Sequence, residues 1–278
     1  MRRTGARVFA LVRASHPEPT VAVTAVAIGL AVSTGRDGFG VAAVAVAVLS
    51  GQLSVGWLND YLDADRDSTV GRTDKPVVTR AVSQRAVAVA TLVAAIVCVP
   101  ASLASGVTAG VVHLLAVASG WAYNLGVKST PFSVLPYAIS FGLLPAFVVL
   151  GLPDVSTPPW WLPAAGALLG AGAHFTNVLP DLPDDAATGV RGLPHRLGAA
   201  GSRVAAAALL LAASVVLAAA APVDPLVAVC VPVLAALVLA AGFLAGCRDG
   251  SRAPFRAVLV VAVLDVALLL ASGHAVVA

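Results

Sequence analysis

The feature that most limits how this chain can fold is a succession of apolar runs, each about 17–25 residues long. Helices of this length span the hydrocarbon core of a bilayer. Only 11% of the 278 residues are charged, whereas soluble domains usually carry about 25%. The runs also lack the alternation of polar and apolar residues that a membrane barrel needs. The sequence therefore predicts an all-α, polytopic integral membrane protein.

Turn and charge signals divide the chain into about nine apolar spans, which we expect to surround a central cavity. No soluble domain or long linker interrupts them, so residues 1–278 are expected to form one domain. The abundance of alanine and glycine favours close packing of the helices. The predicted spans are 20–35, 39–58, 84–103, 107–125, 132–151, 159–178, 202–221, 226–246 and 255–273.

The positions of lysine and arginine predict the orientation in the membrane. With a cytoplasmic N-terminus, 16 of the 17 basic residues fall on the cytoplasmic side and only Arg36 does not. This bias is the positive-inside pattern, and it predicts a multi-pass protein of a bacterial-type cell membrane. It also accounts for the net charge of +3 without a nucleic-acid partner, because no basic stripe is interleaved with aromatic residues. The inner segments are the leader, 59–85, 126–131, 179–203 and 247–256.

Acidic side chains form two clusters on the predicted cytoplasmic side, and both follow the spacing N-x3-D-x3-D. Residues four apart on a helix share one face, so each cluster predicts a row of oxygen ligands. The repeat, 118 residues apart, also predicts two pseudo-repeated halves within the domain. We call the clusters box one (Asn59, Asp63 and Asp67) and box two (Asn177, Asp181 and Asp185).

The composition of the two boxes predicts a site for magnesium and a diphosphate. Clustered carboxylates repel one another unless a cation neutralises them. Mg²⁺ prefers oxygen ligands and usually shares its shell with phosphate and water. A lipid diphosphate fits this position, because its charged head can lie at the aqueous mouth while its tail lies among the helices. Basic residues after each box are candidate phosphate contacts: Arg72 and Lys75 follow box one, and Arg191 and Arg196 follow box two.

Simpler interpretations of these side chains also exist. Aspartates near helix ends often cap helices or are solvated, and basic residues in inner loops can serve topology alone. Solvation is enough to explain Asp65 and Asp74, which lie off the row of box one. The single lysine of the short inner loop, Lys128, has the topological interpretation, and packing is the favoured role of His174.

Two stretches resemble the signatures of a known family. "NDYLDADRD" followed by "GRTDKP" resembles the first signature of the UbiA superfamily of intramembrane prenyltransferases, of the 4-hydroxybenzoate polyprenyltransferase type. "NVLPDLPDD" followed by "GVRGLPHRLG" resembles the second, and "YNLGVKSTPF" resembles the loop between spans four and five. The resemblance covers essentially the whole chain. It implies an all-α bundle whose central cavity is capped on the cytoplasmic side.

The resemblance also implies roles for individual residues. Pro180 and Pro183 flank Asp181 and prevent a regular helix through box two, so Asp184 and Asp185 can exchange roles. Gly192 stands where the family commonly has threonine, which predicts looser local contacts. The implied Mg²⁺–diphosphate ligands are Asn59, Asp60, Asp63, Asp67, Asn177, Asp181 and Asp185. Arg72, Lys75 and Lys128 are implied phosphate contacts, and Tyr123 and Asn124 are implied pocket residues.

Together, these features predict Mg²⁺-dependent transfer of a prenyl group from an isoprenyl diphosphate to a small acceptor. In the family the acceptor is most often an aromatic ring, as in quinone or related isoprenoid biosynthesis. A terpene cyclase on the same scaffold and a lipid synthase with a non-aromatic acceptor are alternatives. A cation transporter is a third, but it would need ionisable groups near mid-bilayer, where Asp265 is the only clear acidic residue.

Overall fold

The computed structural model describes residues 2–153, 155–221, 224–245 and 253–273, and most of them are helical. Within these ranges no residue belongs to a β-strand. The all-α prediction is therefore confirmed. In chain order the α-helices are α1 (Arg2–Arg13), α2 (Pro17–Ser33), α3 (Gly38–Thr69), α4 (Gln84–Leu103), α5 (Val107–Asn124), α6 (Leu135–Leu150), α7 (Trp161–Val178), α8 (Leu182–Ala187), α9 (Leu193–Ala220), α10 (Pro225–Ala245) and α11 (Ala253–Ala271).

Among the described residues, the helices α2–α7 and α9–α11 overlap the predicted apolar spans one for one. Five of them, α3, α4, α9, α10 and α11, are long and apolar enough to cross a membrane. Helices α2 and α6 are apolar but shorter. The places of the spans were thus predicted correctly, while the number of membrane crossings stays a prediction. The inner segment predicted at 247–256 lies partly outside the described residues.

Helix α3 is longer than the span predicted for it. Its 32 residues correspond to about 48 Å at 1.5 Å per residue, whereas the hydrocarbon core is about 30 Å thick. The helix begins behind Asp37, whose carboxylate accepts a hydrogen bond from the Gly40 amide at 2.7 Å. It then continues without interruption through box one. The row of box-one side chains therefore lies on the last turns of a continuous helix.

Small residues allow neighbouring helices to approach closely. A β-carbon on Gly166 of α7 would overlap the carbonyl oxygen of Phe141 on α6, and one on Gly170 would overlap the Phe141 side chain. Elsewhere Phe147 of α6 packs with Leu30 of α2 and Val44 of α3 in one buried apolar cluster. These contacts bear out the close packing expected from the glycine and alanine content.

Box two is built differently from box one. Helix α7 ends at Val178, a single 3₁₀ turn covers Leu179–Asp181, and the six-residue helix α8 follows. Pro180 and Pro183 account for this break, because neither can donate a backbone hydrogen bond. The predicted interruption of the helix is confirmed. The first signature thus supplies one straight row of side chains, and the second supplies a bent one.

Candidate active site

Asp63 is the most extensively paired carboxylate of box one. Lys128 Nζ lies 2.6 Å and 2.7 Å from its two oxygens. Arg66 and the Asn59 amide both donate to Asp63 Oδ2, at 2.8 Å and 3.0 Å. Asp63 is only 6% exposed, and a buried carboxylate is costly unless it is paired. Lys128 therefore contacts box one directly, which topology alone does not require.

The side chain of Asn59 is oriented by its neighbours. Besides its bond to Asp63, its amide nitrogen donates to Asn124 Oδ1 at 3.1 Å. Asn124 in turn donates to the carbonyl oxygen of Val55 at 2.9 Å. In the described residues no donor reaches the side-chain oxygen of Asn59, which is free to bind a cation. Asn124, a predicted pocket residue, is buried and supports Asn59.

Asp60 is enclosed by protein groups. Its Oδ1 accepts from Lys75 Nζ at 2.6 Å and lies 2.9 Å from His16 Nε2. Lys75 Nζ and His16 Nε2 are themselves 3.2 Å apart. His16 joins α1 to α2 in a left-handed backbone conformation, with φ of 54°. Asp60 thus ties the N-terminal helices and Lys75 to the base of box one.

Asp67 differs from Asp60 and Asp63, the other two buried aspartates of α3. It is 5% exposed, yet no side chain in the described ranges donates a hydrogen bond to its carboxylate. Buried carboxylates without partners are rare and costly. Asp67 follows Asp63 by one helical turn, so the two carboxylates lie on the same face of α3. Lys75, Arg66 and Arg72 attract this carboxylate without a hydrogen bond, and a cation bound beside this face would offset more of the cost of its burial.

Arg72 connects the loop after α3 to box two. Its NH1 lies 3.0 Å from Asp181 Oδ1 and 3.8 Å from Asp184 Oδ2. Its Nε and NH2 donate to the two oxygens of Asp74, both at 2.9 Å. This pairing raises the pKa of the Arg72 guanidinium and lowers the pKa of the Asp74 carboxyl. Solvation is therefore not the whole role of Asp74, because it holds Arg72 against box two.

Arg66 brings the two boxes close together. Its NH2 lies 2.8 Å from Asp63 Oδ2 and 3.8 Å from Asp185 Oδ1. Because the same nitrogen is near both carboxylates, Asp63 Oδ2 and Asp185 Oδ1 are separated by no more than the sum of these two distances. Burial raises the pKa of Asp185, and burial also lowers the pKa of Lys128 against the attraction of Asp63. Charge is therefore concentrated in a poorly hydrated mouth.

Asp184 and Asp185, the adjacent aspartates of the second signature, differ in exposure. The Asp185 side chain is 17% exposed and faces Arg66, and His195 Nε2 lies 3.4 Å from its Oδ2. The Asp184 side chain is 49% exposed and lies near Arg72 at the rim. Of the pair, Asp185 is therefore the one that faces box one.

Aromatic side chains adjoin box two. Asn177 is exposed and donates to the Tyr137 hydroxyl at 3.1 Å. The Tyr137 ring contacts those of Tyr123 and His174, with centroids 5.2 Å and 5.0 Å apart. His174 is fully buried and shares a hydrogen bond of 3.1 Å with Ser133, while its Nδ1 has no partner among the described residues. A wall of aromatic rings from α5, α6 and α7 thus begins where box two begins.

Two predicted phosphate contacts and one aspartate of the first signature lie away from the centre of the site. Arg191 and Arg196 are exposed, and neither makes an ion pair with a box in the described part of the chain. Asp65 is exposed on the other side of α3 from the row, as its position off the spacing predicts.

Comparison with protein-family models decides the identity of the fold. Residues 20–271 match the model of the UbiA prenyltransferase family. The chain belongs to the UbiA prenyltransferase family. The resemblance of the two signatures is therefore confirmed, and the chain is a member of a family of prenyltransferases. A comparison with curated protein sequences gave no match.

Solved structures of other proteins share the fold over almost the full chain. A UbiA homolog from Archaeoglobus fulgidus bound to GPP and Mg²⁺ has a TM-score of 0.71 at 17% identity, covering 96% of this chain and 99% of its own. An apo UbiA homolog from Aeropyrum pernix K1 has a TM-score of 0.67 at 22% identity, covering 92% and 96%. A digeranylgeranylglyceryl phosphate synthase has a TM-score of 0.70 at 13% identity, covering 97% and 99%.

Gly192 has a packing reason that the family comparison did not suggest. A β-carbon there would lie 2.8 Å from Ser133 Oγ and still closer to the carbonyl oxygen of Lys128. Contacts at this position are therefore tight, and the prediction of looser contacts was wrong. Gly192 allows the start of α9 to pack directly on the backbone of the loop that carries Lys128.

Four residues of this UbiA site received no role from the sequence. Arg66 was detectable, because it lies within "NDYLDADRD" at three residues from Asp63, where helical side chains are neighbours. His195 lies within the second signature, but its contact with Asp185 depends on the bend after α7. The contacts of His16 with Asp60 and of Tyr137 with Asn177 span 44 and 40 residues, and no local spacing predicts them.

Proposed function

We propose that the protein is an integral-membrane prenyltransferase that uses Mg²⁺ to bind an isoprenyl diphosphate between its two boxes. The observation that carries this proposal is the convergence of the two acidic rows. Box one on α3 and box two after α7 meet at one mouth, where Arg66 and Arg72 each contact acidic side chains of both signatures.

The donor set of this mouth fits Mg²⁺. All the candidate ligands are oxygen atoms, and the buried carboxylate of Asp67 lacks a donor. Within the described ranges, no group of three or more acidic, histidine or cysteine side chains is gathered closely enough to hold a metal by itself. Mg²⁺ commonly completes its shell with phosphate and water, so the protein groups need not enclose it alone. The residues proposed to hold it are Asn59, Asp63, Asp67, Asn177, Asp181 and Asp185.

The basic side chains supply a second part of the mechanism. Lys128, Arg66, Arg72 and Lys75 neutralise the carboxylates in this structure. We propose that phosphate oxygens replace some of these partners when the diphosphate binds, so that cations surround the group that leaves. Mg²⁺, when bound, would neutralise charge that develops on that leaving group. The side chains would add hydrogen bonds to the same charge, favouring cleavage of the allylic carbon–oxygen bond.

The choice of donor has support from the relatives. One A. fulgidus UbiA homolog is bound to GPP and Mg²⁺, and a second structure is bound to DMAPP and Mg²⁺. We propose the same class of donor here, with the prenyl chain directed into the apolar bundle. Because the apolar bundle would exclude water, the allylic cation would not be quenched by it.

For the acceptor we propose a small aromatic compound, as in quinone or related isoprenoid biosynthesis. The support is the aromatic wall of Tyr123, Tyr137 and His174 beside box two. Rings pack well on rings in offset or edge-to-face contacts, so an aromatic acceptor can lie here close to the departing diphosphate. Arg191 and Arg196 stay candidates for contacts with the diphosphate at the rim.

The orientation and the domain organisation are part of the proposal. We propose that the N-terminus and both boxes are cytoplasmic, which the distribution of basic residues supports. We also propose one domain of two pseudo-repeated halves, each contributing one box. Lipid surrounds the bundle on this proposal, and no nucleic acid takes part.

The test uses purified protein in lipid nanodiscs with labelled prenyl diphosphates of several lengths. Release of diphosphate is measured with and without Mg²⁺ and with a panel of phenolic acceptors. We expect Mg²⁺-dependent release and a prenylated phenol, and we expect Asp63→Ala and Asp181→Ala to abolish both. Arg85→Gln is the matched control, because Arg85 is exposed at the start of α4.

Each alternative gives a different result in this assay. No diphosphate release under any condition contradicts the enzyme proposal. A hydrocarbon or alcohol product formed without an acceptor indicates a cyclase, and transfer only to a phosphorylated acceptor indicates a lipid synthase. Ion flux through the protein without turnover indicates a transporter.

A further inference from the structure

The two ring nitrogens of His195 have no role in the site described above. Its side chain is 8% exposed, and neither ring nitrogen has a hydrogen-bond partner among the described residues. Asp185 Oδ2 lies 3.4 Å from Nε2, close to hydrogen-bond range but without the required geometry. Buried polar groups without partners are uncommon, and they often mark a functional role.

The backbone that leads into His195 is fixed. The Leu193 amide donates to Ser133 Oγ at 2.9 Å, and Ser202 Oγ donates to the Pro194 carbonyl at 3.1 Å. Pro194 is itself buried. The backbone that carries the imidazole is therefore anchored at Leu193 and Pro194, ahead of the break in helical geometry at Gly198.

The Asp185 side chain has weaker support than its backbone, whose carbonyl oxygen accepts hydrogen bonds from Thr188 and Val190. Helix α8 has six residues, none of them buried, and no side-chain cap at its start. Arg66 approaches Asp185 only to 3.8 Å. No hydrogen bond within the described residues fixes the rotation of the Asp185 carboxylate, and ordering a free side chain on binding lowers affinity.

We propose that His195 is a positioning residue for box two, donating from Nε2 to Asp185 Oδ2 so that the other carboxylate oxygen faces box one. The neutral imidazole with hydrogen on Nε2 makes this bond, so no change of protonation is needed. The role rests on the proposed function, because its purpose is to prepare Asp185 for Mg²⁺ and diphosphate. Partners of this kind orient metal-binding side chains in many proteins, and their loss typically weakens metal affinity about 10–100-fold.

The experiment measures binding rather than turnover. Thermal unfolding of the protein in nanodiscs is followed while Mg²⁺ is titrated at a fixed concentration of inorganic diphosphate. We expect His195→Ala to raise the Mg²⁺ concentration at half-maximal stabilisation about 10-fold or more. His195→Gln should restore most of the affinity, because its amide nitrogen can replace Nε2. Arg203→Gln, an exposed change on the same helix, should leave the midpoint unchanged.

The outcomes separate this inference from the proposed function. If the unaltered protein responds to Mg²⁺ and diphosphate but His195→Ala has the same midpoint, the positioning role is wrong and the proposed function stands. If the unaltered protein shows neither this response nor diphosphate release, the proposed function itself fails. Should His195→Ala not fold, His195→Leu keeps the volume without a donor, and an unchanged midpoint in that variant equally overturns the inference. In an Asp185→Asn background, His195→Ala should add no further loss.

Discussion

Replacing Lys128 by methionine tests the charge balance of the site most sharply. Lys128 and Asp63 have side chains that are 10% and 8% exposed, and the ammonium lies within 2.7 Å of both carboxylate oxygens. Methionine keeps a similar length and removes the charge. Asp63 would then retain only Arg66 and Asn59 as partners.

The expected loss follows from the burial of the pair. Breaking a buried ion pair by removing one partner costs about 3–5 kcal/mol, because the remaining charge is left without compensation. Two donors stay on Asp63, so we expect the lower end, about 3 kcal/mol. At about 2–4 °C per kcal/mol, the melting temperature should fall by roughly 6–12 °C. Mg²⁺ with inorganic diphosphate should restore part of it, because Asp63 regains a cation.

The assay is thermal unfolding in detergent, followed by tryptophan fluorescence, for Lys128→Met, Asp63→Asn and the double variant. If the two side chains form the pair, the double variant is less destabilised than the single effects predict. Arg85→Gln serves as the control for loss of an exposed positive charge. Additive effects, or a Lys128→Met protein as stable as the unaltered one, would refute the pairing.

Three further variants probe other parts of the site. Asp67→Asn should lower turnover about 100-fold. The melting temperature of the ligand-free protein should stay the same or rise, because no protein group donates a hydrogen bond to this carboxylate. A large fall in stability would contradict this. Arg72→Lys should raise KM for the prenyl diphosphate, since lysine cannot pair with Asp74 through two nitrogens and also reach Asp181; steady-state kinetics with an unchanged KM would contradict it. Gly192→Ala should destabilise the protein by about 1–3 kcal/mol, measured by thermal unfolding, because its β-carbon would overlap the Lys128 carbonyl; a variant as stable as the parent would show that the loop yields freely.

Much of the fold was predictable from hydrophobic run length and charge. The apolar runs and the charge pattern predicted the places of α2–α7 and α9–α11. This works because lipid requires each spanning segment to satisfy its own backbone hydrogen bonds. The length of α3 was not predictable in the same way. Its last turns are polar, so hydropathy ends the span at residue 58 while the helix itself continues to Thr69.

Part of the site was also predictable, and its limits have a physical cause. The N-x3-D-x3-D spacing identified box one, because steps of four residues keep one face of a helix. The contacts that give each carboxylate its environment come from elsewhere in the chain. Lys128 contacts Asp63 from the loop between α5 and α6, and Arg72 contacts Asp181 from the loop after α3. Such pairings depend on how the helices pack, which local patterns do not encode.

Gly192 illustrates a different limit. Comparison with the family pattern shows only that a threonine is missing, which suggests a gap. The surroundings show the opposite, since Ser133 and the Lys128 backbone leave no room for a side chain. Whether a small residue leaves space or permits a close contact is decided by its neighbours in three dimensions.

We propose that both boxes bind one Mg²⁺–diphosphate group together, and calorimetric titration with a non-hydrolysable prenyl diphosphate can test this. The ligand is added to the unaltered protein, Asp63→Asn and Asp181→Asn, each with and without Mg²⁺. We expect one binding event that requires Mg²⁺ and is lost or strongly weakened in each variant, although the two aspartates belong to different signatures. Full affinity in either variant, or equal affinity without Mg²⁺, would contradict it.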